Sequence, residues 1–243
     1  TRRGIGPTYA DKATRIGLRA EDLLNQDLLP QKLIRILDQA NRLLEHVYRQ
    51  EPLDKEPVQH AFHAYADRLR PYITDVGVLV HDKLNRHGTV LAEGAQGTLL
   101  DLDHGTYPFV TSSHPTAPGA LLGLGIGPQH IRRIIGITKS FQTRVGEGPF
   151  PTEASGDTAA RLRGTGEHPW DEFGTTTGRP RRCGWLDAVL LRYTARINGF
   201  TEIVLTKLDI LTNIDPLNIC VSYQRGEQQF KDLPQGPADL SPF

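Results

Sequence analysis

A lysine and an aspartate come shortly after a short apolar run in the second half of the chain. Residues 203–205 (IVL) form the run, and Lys207 and Asp209 come after it. A carboxylate at the end of a buried strand can accept hydrogen bonds from N1 and N2 of guanine, a donor pair that adenine lacks. The aliphatic stem of a lysine can lie along the face of a base. The spacing therefore fits guanine recognition, and a solvated turn is the alternative.

A second segment combines hydroxyl groups with guanidinium groups. Residues 174–182 read GTTTGRPRR, which places three threonines and three arginines between and after two glycines. Guanidinium groups bind carboxylates and phosphates through paired hydrogen bonds, and backbone amides near Gly178 could add donors for the same anion. The composition favours an anion-binding substrate loop. A basic, solvated loop is the alternative.

A third cluster lies around a glycine-lined turn. Its members are the segment 93–98 (EGAQGT), Asp101, Asp103, His104 and the segment 111–113 (TSS). The amide of Gln96 both donates and accepts, which suits the edge of a heterocycle, and the hydroxyls at 111–113 could hold a phosphate. The acidic pair with the histidine could alternatively bind a metal, although turn and capping roles explain these residues equally well.

Two further segments have the glycine and proline content of shaped loops. Residues 4–15 lead from a glycine turn into a short helix that would present Lys12, Arg15 and Arg19 near one face. Residues 143–153 form a glycine- and proline-rich loop after a candidate strand. Surface charge on a capped helix and a rigid connecting loop are the respective alternatives.

The elements that must position these segments predict an α/β fold. The first 90 residues have helical periodicity, with predicted helices over 21–50, interrupted or begun at Pro30, then over 58–69 and 72–85. Predicted strands at 89–92, 134–141, 203–205 and 219–222 alternate with a long loop region at 153–182 and a helix at 184–198. This order predicts a mostly parallel central sheet flanked by helices, with long glycine-rich substrate loops. We expect a single partial domain over 1–243, with a helical section at 1–88 and an α/β section at 89–243.

Composition narrows the class of protein. The 28 Lys and Arg residues balance 28 Asp and Glu residues, which argues against a general nucleic-acid binder. Two cysteines favour a reducing, cytoplasmic compartment, and no apolar run has the length of a membrane span. The chain contains no methionine and begins TRRGIGP, as if inside a loop. We therefore expect part of a longer chain, or else a processed or engineered start.

Taken in order, these segments resemble the signatures of the adenylosuccinate synthetases, a family of purine-biosynthetic ligases. The matching segments are 4–15, 93–108, 143–153, 174–187 and 206–209, and the resemblance covers residues 1–215. It implies that IMP, L-aspartate and GTP react to give adenylosuccinate, GDP and phosphate, with Mg2+ as cofactor. It also implies a homodimer and no nucleic-acid or membrane partner.

The resemblance also implies roles for residues that occupy matching positions. Thr1 and Thr111 would contact the IMP phosphate, and Gln96 would orient the purine 6-oxygen during catalysis. Arg15 would reach IMP in the neighbouring subunit of the dimer. Lys207, Leu208 and Asp209 would bind the guanine of GTP.

The same comparison assigns the hydroxyl- and arginine-rich loop to the aspartate substrate. The implied aspartate-binding residues are Thr175, Thr176, Thr177, Gly178, Arg179, Pro180 and Arg181. Within this loop Arg179 would also touch IMP, and Arg181 would also touch GTP.

The sequence departs from the family pattern in its phosphate-binding parts. It contains no Gly-x-x-x-x-Gly-Lys loop and no counterpart of the family's catalytic aspartate, lysine and histidine. We therefore expect the metal ligands to lie outside these residues and the 243-residue chain alone to be inactive. A non-catalytic purine-nucleotide-binding module is the alternative. A purely structural protein is disfavoured because scaffolding requires neither the arginine-rich loop nor the Lys-x-Asp segment.

Overall fold

The structure is a computed structural model that describes residues 3–175, 178–233 and 240. The described residues divide into two compact units, one ending at Asp82 and the other beginning at Lys83. None of the helices in these parts of the chain combines the length and the apolar character that a membrane crossing needs.

The first unit is built from helices, as predicted. Its α-helices are α1 (Ile5–Thr14), α2 (Leu28–Leu43) and α3 (Lys55–Leu69), with α4 (Val76–Asn85) crossing into the second unit. Single 3-10 or π turns occupy Ala20–Leu24, Leu44–Tyr48 and Arg70–Tyr72. Pro30 is the third residue of α2, where the first-turn amide needs no helical acceptor, so it helps to begin the longer helix.

The core of the first unit follows from helical spacing. Leu29, Leu33 and Leu37 lie four residues apart on α2 and are buried. Leu29 and Leu33 form a cluster with Ala66 of α3, and Leu18, Leu23 and Phe62 pack around it. The predicted interruption of the 21–50 helix is confirmed, because a 3-10 turn, α2 and a π turn share this segment.

The second unit contains the strands. They are β1 (Ile135–Lys139), β2 (Phe141–Arg144), β3 (Arg182–Asp187), β4 (Glu202–Thr206), β5 (Ile219–Cys220), β6 (Tyr223–Arg225) and β7 (Gln228–Phe230). Its α-helices are α5 (Ala117–Leu124), α6 (Gly156–Arg163) and α7 (Ala188–Asn198), and 3-10 turns occupy Thr98–Leu100, Pro128–His130 and Leu208–Leu211.

The predicted α/β class is confirmed, with parallel pairing at two places. β1 pairs in parallel with β4, and β3 pairs in parallel with β5. β2 lies antiparallel to β3 on its other edge, and β6 and β7 form an antiparallel hairpin. The main apolar cluster lies beneath α7 and contains Val189, Leu190, Tyr193, Tyr223, Leu233 and Leu240. A second cluster joins Phe141, Leu162 and Cys183.

Several element predictions need correction. Residues 89–92 form no strand, since the segment pairs with no described strand and Leu91 is 87% exposed. The predicted helix at 184–198 begins only at Ala188, because 182–187 pairs with β2 as β3. The predicted loop region 153–182 contains α6, whose Ala159 and Leu162 are buried. Residues 203–205 form a strand but are 42–47% exposed, because β4 pairs only with β1 among the described strands.

Candidate functional site

Two lysines stand side by side at the carboxyl ends of parallel strands. Lys139 ends β1 and lies opposite Thr206 of β4 in the parallel register, so Lys207 follows directly beside it. The hydroxyl of Ser140 donates to the carbonyl oxygen of Lys207 at 2.8 Å, which ties the two chain ends together. Ligands of open α/β sheets bind outside the carboxyl ends of the strands, so this edge is the expected place for a site.

Lys207 leaves β4 in an unusual backbone conformation. Its φ is +60°, a left-handed value that a residue with a Cβ adopts infrequently. The turn leads into the 3-10 helix at Leu208–Leu211, where Leu208 and Asp209 are exposed. The chain therefore turns at Lys207, whose side chain contacts the protein, and the next two residues, Leu208 and Asp209, are exposed.

A buried carboxylate holds both lysines. Glu172 is 1% exposed. Its Oε2 accepts hydrogen bonds from Lys139 Nζ at 2.7 Å and from Arg181 Nη1 at 2.7 Å, and its Oε1 accepts from Lys207 Nζ. Burial disfavours its charged form, but the hydrogen bonds from Lys139 and Lys207 outweigh this and hold the pKa of Glu172 below its ordinary value.

The pKa of Lys139 is also lowered, but for this cation a lower pKa means that the charged form is disfavoured. Burial lowers the pKa of Lys139, while the hydrogen bond and charge of Glu172 act to raise it and the nearby Arg181 and Lys207 charges lower it further. Lys139 Nζ also donates to Thr143 Oγ1 at 2.7 Å. Three cationic side chains thus share a single buried carboxylate, which makes this edge of the sheet electropositive and suited to anions.

The arginine-rich loop is closed at its base by the same glutamate. The backbone amide of Arg181 donates to the carbonyl oxygen of Glu172 at 2.9 Å, and Phe173 pairs with Pro180 in an antiparallel bridge. Gly174 donates to the carbonyl oxygen of Arg179 at 2.8 Å. The described ends of this loop, 172–174 and 179–181, are therefore paired with each other.

The loop at 143–153 lies against β3 and its neighbours. Arg182 Nη1 donates to the carbonyl oxygen of Gly148 at 2.8 Å, and Arg182 Nε donates to Glu153 Oε1 at 2.8 Å. Thr152 runs so close to β3 that a Cβ at Gly184 would lie 2.2 Å from the Thr152 carbonyl oxygen. Only glycine allows this approach, which fixes the return of the loop.

Arg144 joins the segment 93–113, which contains Gln96 and Thr111, to the loop at 143–153. Arg144 Nη2 donates to Thr106 Oγ1 at 3.0 Å, and Arg144 Nε donates to the carbonyl oxygen of Glu147 at 2.8 Å. Thr111 is half-buried, and its amide donates to the carbonyl oxygen of Leu100 at 2.8 Å. Hydrogen bonds therefore connect segments 98–113, 143–153, 172–182 and Lys207 in one continuous series.

The structure brings some of the predicted residues together and leaves others apart. Arg181 and Lys207 meet on Glu172. Gln96 is exposed in the turn at 94–97 with φ +60°, and Thr175, Gly178, Arg179 and Pro180 are exposed on the loop. Arg15 is an exposed residue of the first unit, where it caps the C-terminus of α1 with φ +66°. Thr1, Thr176 and Thr177 lie outside the described residues.

The alternative prediction, a metal site made by Asp101, Asp103 and His104, differs from the arrangement in the structure. Asp101, Asp103 and His114 bring possible ligand atoms within 4.8 Å of one another, and His104 is replaced in this group by His114. Asp101 already accepts hydrogen bonds from two backbone amides, His114 and Thr116. Mg2+ prefers free oxygen ligands in octahedral array, so this hydrogen-bonded group does not fit it.

Sequence reasoning missed the residues that organise the site. Glu172, Lys139 and Arg144 are not among the predicted site residues, although Lys139, inside the predicted strand 134–141, follows an apolar run and a threonine as Lys207 does. That shared position, a lysine after an apolar β run, was a usable signal. Glu172 offered none, because a single glutamate in a polar stretch has no distinctive spacing.

The fold is α/β, three cationic side chains meet at the carboxyl ends of two of its strands, and comparison with known proteins gives the family. The family model described as adenylosuccinate synthetase matches residues 1–242. The adenylosuccinate synthetase of Synechococcus sp. (strain JA-2-3B'a(2-13)) is 52% identical over 243 residues, which is 100% of this chain and 53% of that protein. That of Acidothermus cellulolyticus is 54% identical over 241 residues, covering 99% of this chain and 55% of that protein.

A solved structure supports the same relationship. The structure of fully ligated adenylosuccinate synthetase from Plasmodium falciparum superposes with a TM-score of 0.83 at 42% identity, covering 90% of this chain and 50% of that one. The chain belongs to the adenylosuccinate synthetase family. It spans about half the length of the curated relatives that it matches.

Proposed function

We propose that this chain supplies substrate recognition in a GTP-dependent ligase that joins IMP and L-aspartate to form adenylosuccinate, GDP and phosphate. Family membership supports the reaction class. The observation that carries the assignment is the meeting of Arg181 and Lys207 on buried Glu172 at the carboxyl ends of two parallel strands. Residues expected to bind aspartate and GTP thereby share one anchored edge.

The chemistry explains why an electropositive edge is useful. The 6-oxygen of IMP is a poor leaving group. Transfer of the γ-phosphoryl group from GTP to this oxygen makes a good one, and the aspartate nitrogen then displaces it, forming the C–N bond and releasing phosphate. Positioning and charge stabilisation contribute most to such a reaction. In this proposal Gln96 orients the purine 6-oxygen and Thr111 holds the IMP phosphate.

The loop at 174–181 binds aspartate in this proposal. Its described residues Thr175, Gly178, Arg179 and Pro180 are exposed, so they can reach a substrate while Glu172 and Arg181 hold the base of the loop. Arg179 contacts IMP and aspartate, and Arg181 contacts aspartate and GTP. Arginines on a loop can neutralise carboxylates and phosphates when the substrates arrive.

The remaining assignments rest on the family. Lys207, Leu208 and Asp209 bind guanine, and Thr1 contacts the IMP phosphate. Mg2+ accompanies the GTP phosphates, and no ligand for it is assigned to these residues. The enzyme is a cytoplasmic homodimer in which Arg15 reaches the neighbouring site.

The test uses an enzyme of full family length that carries this sequence. Incubation with IMP, L-aspartate, GTP and Mg2+ should produce adenylosuccinate and phosphate in equal amounts, whereas ATP in place of GTP should give much less. Binding of IMP and GDP without turnover would instead identify a non-catalytic nucleotide-binding module. Failure to bind either nucleotide would contradict both readings.

The dimer assignment has its own test. A subunit carrying Arg15→Leu is mixed with a subunit disabled at its catalytic base. Each parent homodimer should be nearly inactive, while the mixed dimer should recover one working site. Verified mixed dimers without recovered activity would place Arg15 outside the neighbouring site.

A further inference from the structure

A buried carboxylate that touches three cations needs an explanation beyond folding. Glu172 is 1% exposed and is bound by Lys139, Arg181 and Lys207, whose side chains are 26%, 25% and 23% exposed. One negative charge among three positive charges leaves this cluster, which we call the Glu172 cluster, with a formal charge of +2. Removing the carboxylate would leave three half-buried cations to repel one another.

The backbone of Glu172 is held as firmly as its side chain. Its amide donates to the carbonyl oxygen of Arg163 at 2.7 Å, and its carbonyl oxygen accepts from the Arg181 amide at 2.9 Å. Arg163 Nε also donates to the carbonyl oxygen of Arg181 at 2.7 Å. The carboxylate is therefore fixed relative to α6 and to the closed base of the loop.

Lys207 is tied to this segment at two points. Its Nζ donates to the carbonyl oxygen of Trp170 at 2.6 Å and to Glu172 Oε1. The same nitrogen lies 6.0 Å from the centre of the Phe141 ring. With its ammonium group held at segment 170–172, Lys207 has few alternative positions. We therefore expect a change in that segment to alter the position of Lys207.

The two oxygens of Glu172 divide their partners between two proposed binding segments. Oε2 accepts from Arg181 on the aspartate loop, and Oε1 accepts from Lys207 beside the proposed guanine contacts. We propose that Glu172 is a positioning residue that couples the aspartate loop to the guanine-recognition lysine, so that ligands at one segment strengthen binding at the other. This inference rests on the proposed function, because the ligands are those of the synthetase reaction.

Coupling of this kind is reciprocal and can be measured without turnover. If bound IMP and aspartate change how Arg181 contacts Glu172, they tighten GDP binding through Lys207, and GDP tightens their binding by the same factor. The test enzyme is the full-family-length protein that carries this sequence. GDP dissociation constants are measured by calorimetry with and without saturating IMP and L-aspartate, a mixture that cannot react forward because it lacks GTP.

We expect at least a roughly 5-fold tightening of GDP in the parent, at the lower end of typical coupling. Glu172→Gln should reduce this factor to below about 2-fold, because an amide presents one acceptor oxygen and no charge to three cations. Glu202→Gln is the matched control. It removes the same charge from another ion pair, with Arg133, at the opposite end of β4, and should keep the parent coupling factor.

Glu172→Asp keeps the experiment decisive if Glu172→Gln does not fold. The shorter side chain retains the charge but cannot reach all three cations, so its coupling factor should fall between those of the parent and the glutamine variant. Folded Glu172 variants that retain the full parent factor would overturn the inference, as would a parent that binds GDP without any coupling. A parent that binds no GDP would instead contradict the proposed function itself.

Discussion

The Arg144 guanidinium spans two loops that are separated by about forty residues in sequence. Its Nη2 lies 3.0 Å from Thr106 Oγ1 and 3.1 Å from the carbonyl oxygen of Phe109, and its Nε lies 2.8 Å from the carbonyl oxygen of Glu147. Burial lowers the pKa of Arg144, and the nearby charge of Arg182 lowers it further. One side chain therefore joins the segment carrying Gln96 and Thr111 to the loop at 143–153.

We expect Arg144→Met to separate these loops. Methionine keeps an unbranched apolar stem but loses the guanidinium group and its three hydrogen bonds, so the free energy of unfolding should fall by about 2 kcal/mol. Urea denaturation measures this change. Arg132→Met, at an exposed arginine of the same unit, is the control and should shift stability by less than about 0.5 kcal/mol. Equal effects of the two variants would show that Arg144 has no special role.

Asp101→Asn should destabilise the protein in a pH-dependent way. Burial disfavours the charged carboxylate, but hydrogen bonds from backbone amides, His114 and Thr116 outweigh this and lower the pKa of Asp101 below 3.8. The unfolded state therefore binds the proton first as the pH falls, and the contribution of Asp101 is complete only above about pH 5. The variant should lose about 1–3 kcal/mol at neutral pH.

This difference between parent and Asp101→Asn should shrink as the pH falls below 3.8 and Asp101 becomes protonated in the folded state. Denaturation midpoints measured from pH 7 to pH 3 provide the readout. Asp103→Asn, whose side chain is 72% exposed, serves as the control and should have little effect at any pH. A difference that stays constant across this range would contradict a role for the charged form of Asp101.

Tyr223→Phe should weaken the junction between β3, α7 and β6. Asp187 is fully buried, its Oδ1 caps α7 by accepting from the amides of Val189 and Leu190 at 3.0 Å, and its Oδ2 accepts from the Tyr223 hydroxyl. Without that hydroxyl a buried oxygen loses its donor, which should cost about 1–3 kcal/mol.

Thermal and urea denaturation measure the stability of the Tyr223→Phe variant. The variant should also change the pKa of Asp187. Burial raises this pKa, and loss of the hydroxyl should raise it further, because that hydrogen bond stabilises the charged form. Tyr107→Phe, at a tyrosine that is 65% exposed, is the control. A Tyr223→Phe variant as stable as the control would show that the hydroxyl is not needed.

Asp209→Asn should change the choice of base in the full-length enzyme. An amide would place a donor where guanine also presents donors, so GTP use should weaken by roughly 1.5–3 kcal/mol while use of xanthosine triphosphate improves. Steady-state kinetics with the two nucleotides measure the change, and Asp215→Asn, at an exposed aspartate nearby in sequence, is the control. Unchanged selectivity would show that Asp209 does not contact the base.

Arg179→Leu and Arg181→Leu should differ in stability as well as in kinetics. Arg181 is tied to buried Glu172, so its loss should lower the free energy of unfolding by about 1–3 kcal/mol, a larger effect than loss of the exposed Arg179.

The kinetic difference between these arginines follows from their proposed ligands. Arg179→Leu should raise the KM for aspartate more than that for GTP, and Arg181→Leu should raise both. Lysine substitutions should rescue only partly, because an ammonium group cannot make the paired contact of a guanidinium. An Arg179→Leu enzyme with unchanged aspartate and IMP dependence would identify this loop as a basic, solvated surface.

The sequence alone determined the features that depend on neighbouring residues. Helical spacing within 21–50 and 58–69, the strand at 203–205 and the motif order that resembles the family all follow from short stretches, because local periodicity and motif spacing are properties of the chain itself. The family assignment and the α/β class therefore follow from the sequence.

Only the tertiary structure decided which residues hold the site together. Glu172 meets Lys207 across 35 positions, and Arg144 meets Thr106 across 38. Such pairings depend on strand register and on the return path of loops, which no local pattern specifies. The same limit explains the wrong strand at 89–92, which finds no partner among the described strands. It also explains the late start of α7, because residues 182–187 pair with β2 instead of beginning the helix.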